Sequence, residues 1–282
     1  MTRPDSSELL TVTRRDGVVT LTLDRAERKN ALTVEMVSRL TEEVEAAGRN
    51  EGDRVILIQA AGADFCSGID LVESNRPGRG ADEGATEGGD RPARPRAGHL
   101  QRNLAVGAHR MIQTITSVQL PVVAAVRGWA AGVGNALALS ADVTVASDTA
   151  RFWVPFVTKG FTPDSGNSWL IPRLVGLARA KEMILRGCPV DGRTAAEWGL
   201  VNTCVDDADL DETAGRTAEE FAGMATVAIG LTKALLHTNL ESGLAVAMQN
   251  EAIYEELGVR SDDFKEGIRS FAEKRPPRFT GR

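Results

Sequence analysis

Two glycine-bearing turns hold the densest chemistry in this chain. ADFCSGIDL (residues 63–71) follows an apolar run at 55–59, and GWAAGVGNALAL (residues 128–139) follows another at 122–126. Glycine lets a backbone come close to a ligand with its amides pointing outward, and two converging main-chain N–H groups are what stabilise a developing oxyanion. The same pattern also describes ordinary strand-to-helix turns, since short glycine motifs are common. A third segment, KGFTPDSG (residues 159–166), offers Asp164 as a proton acceptor. Phe152, Trp153, Phe156, Phe161 and Trp169 flank it and could wall an apolar cavity, which raises a carboxyl pKa and makes a better base near neutral pH. By local pattern alone Asp164 is better suited to cap the helix that follows. Of the histidines, His99 and His237 have no supporting context. Cys66 adjoins the first turn, but no paired base marks it as a nucleophile. Cys66, Cys188 and Cys204 show neither CxxC spacing nor a histidine at metal spacing, which excludes a disulfide framework and predicts no metal site.

These residues need elements to position them. VVTLTL (18–23) alternates at the period of a half-buried strand, and VILIQ (55–59), VVAAV (122–126) and VTVA (143–146) read as further strands. Between the first two, Thr33 caps a helix that places Met36, Val37, Leu40, Val44 and Ala47 on one face. Ala108, Met111, Ile112, Ile115 and Val118 repeat at helical spacing, and residues 135–140 form another helical stretch. Alternating strands and helices mean an α/β fold, and glycine turns at the carboxyl ends of strands lie where such folds bind ligands. From Trp169 onward the sequence reads as helices, over 178–185, 194–198, 209–224, 227–240, 244–257 and 261–273. This predicts an α/β core over residues 1–205 and a C-terminal helical region over 206–282, packed together without a linker.

Composition narrows the function classes. The 282 residues carry 33 basic and 39 acidic side chains, a net charge of −6, and 42% are hydrophobic, which describes a globular chain rather than a disordered one. The acidic balance and the lack of a basic block with interleaved aromatics argue against nucleic acid as partner. The charged N-terminus and the absence of an 18-residue apolar run predict neither secretion nor a membrane span, so a reducing cytoplasm is the expected location. Residues 74–98 hold six Gly, three Pro, five Arg and four acids, with no V, I, L, M, F, W, Y or C. Such a segment buries nothing to offset its ordering entropy and reads as a flexible insertion.

The succession LDRAERKNAL (23–32), ADFCSGIDL, PVVAAVRGWAAGVG (121–134) and WGLVN (198–202), ending in RSDDFKEGIRSFAEKRPPRFTG (260–281), resembles the crotonase, or enoyl-CoA hydratase/isomerase, superfamily. KGFTPDSG and the C-terminal run are closest to its isomerase-like branch, that of the epoxyphenylacetyl-CoA isomerases. The resemblance implies a spiral of βαβ units, a C-terminal α-helical oligomerisation region that builds trimers or hexamers, an acyl-CoA thioester as substrate and no cofactor beyond its CoA moiety. By position it implies that the backbone N–H groups of Ile69 and Val133, after Gly68 and Gly132, form an oxyanion hole. It places Arg25, Arg28 and Lys29, with Cys66, Ser67, Gly68 and Asp70, beside the CoA.

What the chain lacks is as informative. Hydratases of this superfamily hold water between two glutamates, but these positions are Ala136 and Phe156 here, and neither side chain moves a proton. Asp164 coincides with the carboxylate of several isomerases and with the nucleophile of an aromatic dehalogenase branch, and His109 with that branch's water-activating histidine. The resemblance therefore implies a double-bond isomerase of the 3-enoyl to 2-enoyl-CoA type that uses one aspartate base. The alternatives are an enoyl-CoA hydratase, a hydrolase with Asp164 as nucleophile and His109 as its partner, and a non-catalytic acyl-CoA-binding protein.

Overall fold

The computed structural model describes residues 9–70 and 98–282; the insertion expected at 74–98 lies, apart from Gly98, outside the described residues. The chain opens with β1 (Leu10–Arg15) and β2 (Val18–Leu23), an antiparallel hairpin whose Asp16 and Gly17 both have positive φ, as a type I′ turn requires. Next comes α1 (Val34–Arg49), where the Thr33 hydroxyl accepts the Met36 N–H at 3.1 Å as an N-cap. β3 (Val55–Ala60), α2 (His99–Val106), α3 (Ala108–Ser117) and β4 (Val122–Val126) follow. Then come β5 (Trp129–Ala131), α4 (Val133–Leu139), β6 (Val143–Ser147), β7 (Arg151–Trp153) and α5 (Asn167–Arg186). β8 (Val190–Asp191), α6 (Gly192–Trp198) and β9 (Thr203–Val205) precede the final helices α7 (Leu210–Ala222), α8 (Thr226–Asn239), α9 (Leu244–Gly258) and α10 (Asp262–Glu273).

One six-stranded sheet runs in the order β1-β2-β3-β4-β6-β9, and a three-stranded sheet runs β5-β7-β8. Beyond the opening hairpin, all pairings in the larger sheet are parallel. Parallel strands are covered on both faces, and alternate residues of these strands feed two separate clusters. Leu21, Leu23, Ile56, Ile58, Val122 and Ala124 pack with α1 and α3 in the main core. Val55, Leu57, Val123, Ala125 and Val145 pack on the other side against Leu210, Ala214 and Ala218 of α7. α7 seals the open face of the sheet, and α8 is tied to the core by Lys233, which donates to Ile115 O at 3.0 Å and pairs with Asp142 at 2.7 Å.

The helices after α7 expose large apolar side chains. α9 buries none of its residues: Leu244, Val246, Met248, Ile253 and Leu257 are exposed on it, together with Leu236 of α8, Leu240 just after α8 and Phe271 of α10. Among the described residues, no single helix is long and apolar enough to cross a membrane.

Candidate active site

The two glycine turns meet because residues 65–66 pair with β5. The Phe65 N–H donates to Arg127 O, the Cys66 N–H to Trp129 O and the Ala131 N–H back to Cys66 O, each at 2.8 Å. Close contact demands glycine at two points. A Cβ on Gly134 would lie 2.4 Å from Cys66 O, and one on Gly68 would lie 3.1 Å from Ala131 O and 4.0 Å from Val133 N; Gly68 also has a φ of 103°, which side chains rarely adopt. Gly134→Ala is accordingly expected to force the turns apart. Overpacking of this kind costs about 1–3 kcal/mol, readable as a lower Tm; an unchanged Tm would show that the contact yields.

This meeting orients two amides. Leu32 N–H donates to Gly68 O at 2.8 Å and Asp70 N–H donates to Leu32 O at 2.9 Å. In such a parallel bridge the intervening residue, Ile69, turns its own N–H to the opposite side. Val133 is the first residue of α4, and the N–H groups of a first helical turn have no intrahelical acceptor. Among the described residues neither amide donates to a protein acceptor. The structure thus brings together the two N–H groups singled out in the sequence.

Asp164 sits in the loop between β7 and α5. Ser165 and Gly166 follow it at φ values of 53° and 85° and swing the chain into α5, whose N-cap is Gly166 without any side-chain capping bond. The capping role open to Asp164 is therefore not the one taken. Its main-chain carbonyl accepts the Asn167 N–H at 3.1 Å, and its carboxylate Oδ1 is buried without a hydrogen-bond partner. Burial pushes this carboxyl above the ordinary aspartate range, against an opposing pull from the adjacent Ser165 hydroxyl, electrostatically close though not hydrogen bonded, and from the His109 imidazole. His109 lies on α3, and a Cβ on Gly166 would be 3.7 Å from Ile112 of the same helix. His109 Nε2 is also buried and unpartnered. His237 stacks on Trp169 with centroids 6.5 Å apart, and the side chain of His99 lies outside what is described.

The two positions where hydratases carry glutamates border the same turns. Ala136 is fully buried and its N–H donates to Gly132 O at 3.2 Å. The Phe156 ring tip lies 3.6 Å from where a Gly132 Cβ would be and meets Phe161 edge-on at 5.2 Å. The wall beside the amides is hydrocarbon.

The residues assigned to CoA divide by what they already do. Arg28 is exposed, and Lys29 is largely exposed while pairing with Asp64 at 3.5 Å. Ser67 is exposed and its N–H donates to Lys29 O at 3.0 Å, which ties the two segments together. Arg25 turns inward instead. Its guanidinium pairs with Asp70 at 2.9 Å and donates to Ala31 O at 2.8 Å, so its charge and that of Asp70 serve the loop. Cys66 is fully buried, both its main-chain groups are taken by β5, and burial pushes its thiol up to about 12. Asn30, not singled out in the sequence, holds this corner. Buried at a φ of 53°, it accepts Arg25 N–H at 2.8 Å and donates to Ala61 O at 2.9 Å and Asp64 O at 2.7 Å. Its signal was present, since asparagine is the non-glycine residue best suited to left-handed backbone. Among the described residues no group of three or more His, Cys, Asp or Glu could hold a metal ion.

Comparison with known proteins places this geometry. The family model described as enoyl-CoA hydratase/isomerase matches residues 13–282. The 1,2-epoxyphenylacetyl-CoA isomerase of Escherichia coli is 35% identical over 94% of this chain and 96% of its own length. A Rhodobacter capsulatus protein named probable enoyl-CoA hydratase is 38% identical over 95% and 96%. The crystal structure of an enoyl-CoA hydratase from Bacillus anthracis superimposes with a TM-score of 0.85 at 27% identity, covering 97% of this chain and all of that one. With its fold, its paired turns and these relatives in agreement, the chain belongs to the enoyl-CoA hydratase/isomerase family.

Proposed function

We propose that this enzyme moves a double bond within an acyl-CoA thioester, from the 3-enoyl to the 2-enoyl position, with Asp164 as its base. The observation that carries this reading is a carboxyl with one oxygen buried and unpartnered, together with two positions, Ala136 and Phe156, that hold no proton-transfer group. The thioester carbonyl accepts the Ile69 and Val133 N–H groups. Asp164 takes a proton from C2, the C–H electron pair moves into the thioester to give a dienolate, and the two amides hold its negative oxygen. The same carboxyl then delivers the proton to C4, leaving the double bond between C2 and C3. One carboxyl suffices because a proton leaves and returns, whereas hydration also needs a placed and activated water. Burial supports the role, since a raised pKa makes the carboxylate a stronger base. Arg28 and Lys29 meet the CoA phosphates as exposed cations. The apolar faces of α8 to α10 bury against further copies of the chain in a homotrimer or homohexamer, and light scattering is expected to return one of those masses.

The assay sets 3-enoyl-CoA isomerisation against hydration of a short 2-enoyl-CoA. Isomerisation that disappears on substitution of Asp164 is the expected result, and robust hydration indifferent to Asp164 overturns the reading. The electrostatic pull of the His109 imidazole on Asp164 favours one competing reading, in which the carboxylate displaces a leaving group from a carbon of the acyl chain, that group departing with the electron pair of its bond, and water activated by His109 hydrolyses the resulting ester. A single turnover in heavy-oxygen water is expected to leave Asp164 unlabelled; label in its carboxyl would replace the isomerase reading with the covalent one.

A further inference from the structure

Two buried asparagines have no part in the chemistry above. Asn135 on α4 and Asn167 at the start of α5 are both fully buried, and Asn135 Nδ2 donates to Asn167 Oδ1 at 2.8 Å. Asn167 Nδ2 then donates twice, to Gly132 O at 3.1 Å and to Asp164 O at 3.0 Å. The amide cannot be reversed without cost, since both of those partners are carbonyls and accept only. Asn135 reinforces the choice by supplying an N–H to the oxygen end.

The two carbonyls are not arbitrary. Gly132 C=O and Val133 N–H are the two ends of one planar peptide unit, so a hydrogen bond to the oxygen fixes the direction of the N–H and polarises it into a better donor. The Asp164 carbonyl belongs to the backbone that carries the carboxyl. We propose that Asn167, locked by Asn135, is a positioning residue that joins the two halves of the site: through one buried amide it aims and strengthens the Val133 N–H and holds the Asp164 backbone at a set distance from it. The inference rests on the isomerase reading for the roles of Val133 and Asp164. It accounts for polar groups that apolar surroundings would otherwise disfavour, because a buried asparagine is retained at a cost and Asn135 Oδ1 is left without a partner.

The test uses the full-length enzyme and two readouts. Asn167→Asp keeps the shape but presents oxygen to both carbonyls, and Asn135→Ala leaves Asn167 in place without its lock, which serves if the first variant does not fold. Both are expected to lower kcat with little change in KM, Asn167→Asp by roughly 10- to 100-fold, less than the loss of a whole oxyanion donor, and Asn135→Ala by less. The pH profile of kcat is expected to shift with the displaced carboxyl. The second readout is the vibrational frequency of the thioester carbonyl in a bound, unreactive acyl-CoA, which the oxyanion amides lower; in both variants the lowering is expected to shrink. Unchanged kcat and an unchanged carbonyl frequency in folded variants, with only Tm reduced, would show the pair to be structural and overturn the proposal. The carbonyl readout needs no turnover. A wild type that shifts the carbonyl but does not isomerise therefore sinks the isomerase reading while still deciding whether Asn167 sets the Val133 N–H.

Discussion

Asp164→Asn is expected to lower kcat for isomerisation by about 10²- to 10⁴-fold, the usual worth of a positioned general base, with acyl-CoA affinity retained in calorimetry. The carboxyl is close in shape to an amide, so the substitution removes the base and little else. Wild-type kcat should rise with pH as Asp164 ionises, and burial places that rise above the ordinary aspartate range. Stability follows the same group with the opposite sense. A carboxyl whose folded-state pKa is raised contributes stability that is full below its unfolded pKa and is lost as pH rises through the folded value. Asp164→Asn, which cannot ionise, should therefore match the wild type in Tm at acid pH and exceed it at neutral pH. An Asp164→Asn variant with wild-type turnover would remove Asp164 from the chemistry altogether.

Val133→Pro is expected to lower kcat by roughly 10²- to 10³-fold, the cost of deleting one oxyanion donor. Ordinarily proline in a helix costs a hydrogen bond and a clash, but the first helical position accepts it because that N–H has no helical partner. The preceding residue must be extended. Gly132, at φ 56° and ψ −115°, has the mirror image of an extended conformation, which only glycine adopts easily. Proline should therefore fit where valine sits, keep the fold by circular dichroism and lose the N–H alone. Val133→Ala retains the N–H and is the matching control, expected to turn over near the wild-type rate. Equal losses in the alanine and proline variants would assign the effect to packing and dismiss the amide.

The large strands and the capped α1 were legible because hydrophobic period and cap chemistry are local properties. The expected strands at 18–23, 55–59, 122–126 and 143–146 correspond to β2, β3, β4 and β6 within a residue. β1 was missed although the Asp16-Gly17 pair between two apolar runs is a hairpin signal. β5, β7, β8 and β9 run for two or three residues each, too short for any period to show; they exist because residues distant in sequence supply their partners. Helix α5 is interrupted at Gly176, and the part beyond it matches the helix expected over 178–185; the part from Asn167 was not legible because Pro172 lies within it. α7 was legible as a helix but not as the cover of a sheet face, since its apolar side fits a subunit interface as well as a core.

The sequence by itself determined the chemical inventory of this protein. It contains glycine turns after two strands, a single aspartate among aromatic residues, and alanine and phenylalanine where a hydratase would hold carboxylates. Residue type sets whether a group can move a proton, and no folding alters that for Ala136 or Phe156. Only the tertiary structure decided which groups are available and in what state. Arg25 is consumed by Asp70 and Cys66 by β5, while Asp164 escapes the capping role and acquires its raised pKa from burial. The pairing of Asn135 with Asn167 across 32 residues of sequence had no local signal. A hydrogen bond between distant side chains is a property of three-dimensional position, and so is the desolvation that makes an ordinary aspartate a base.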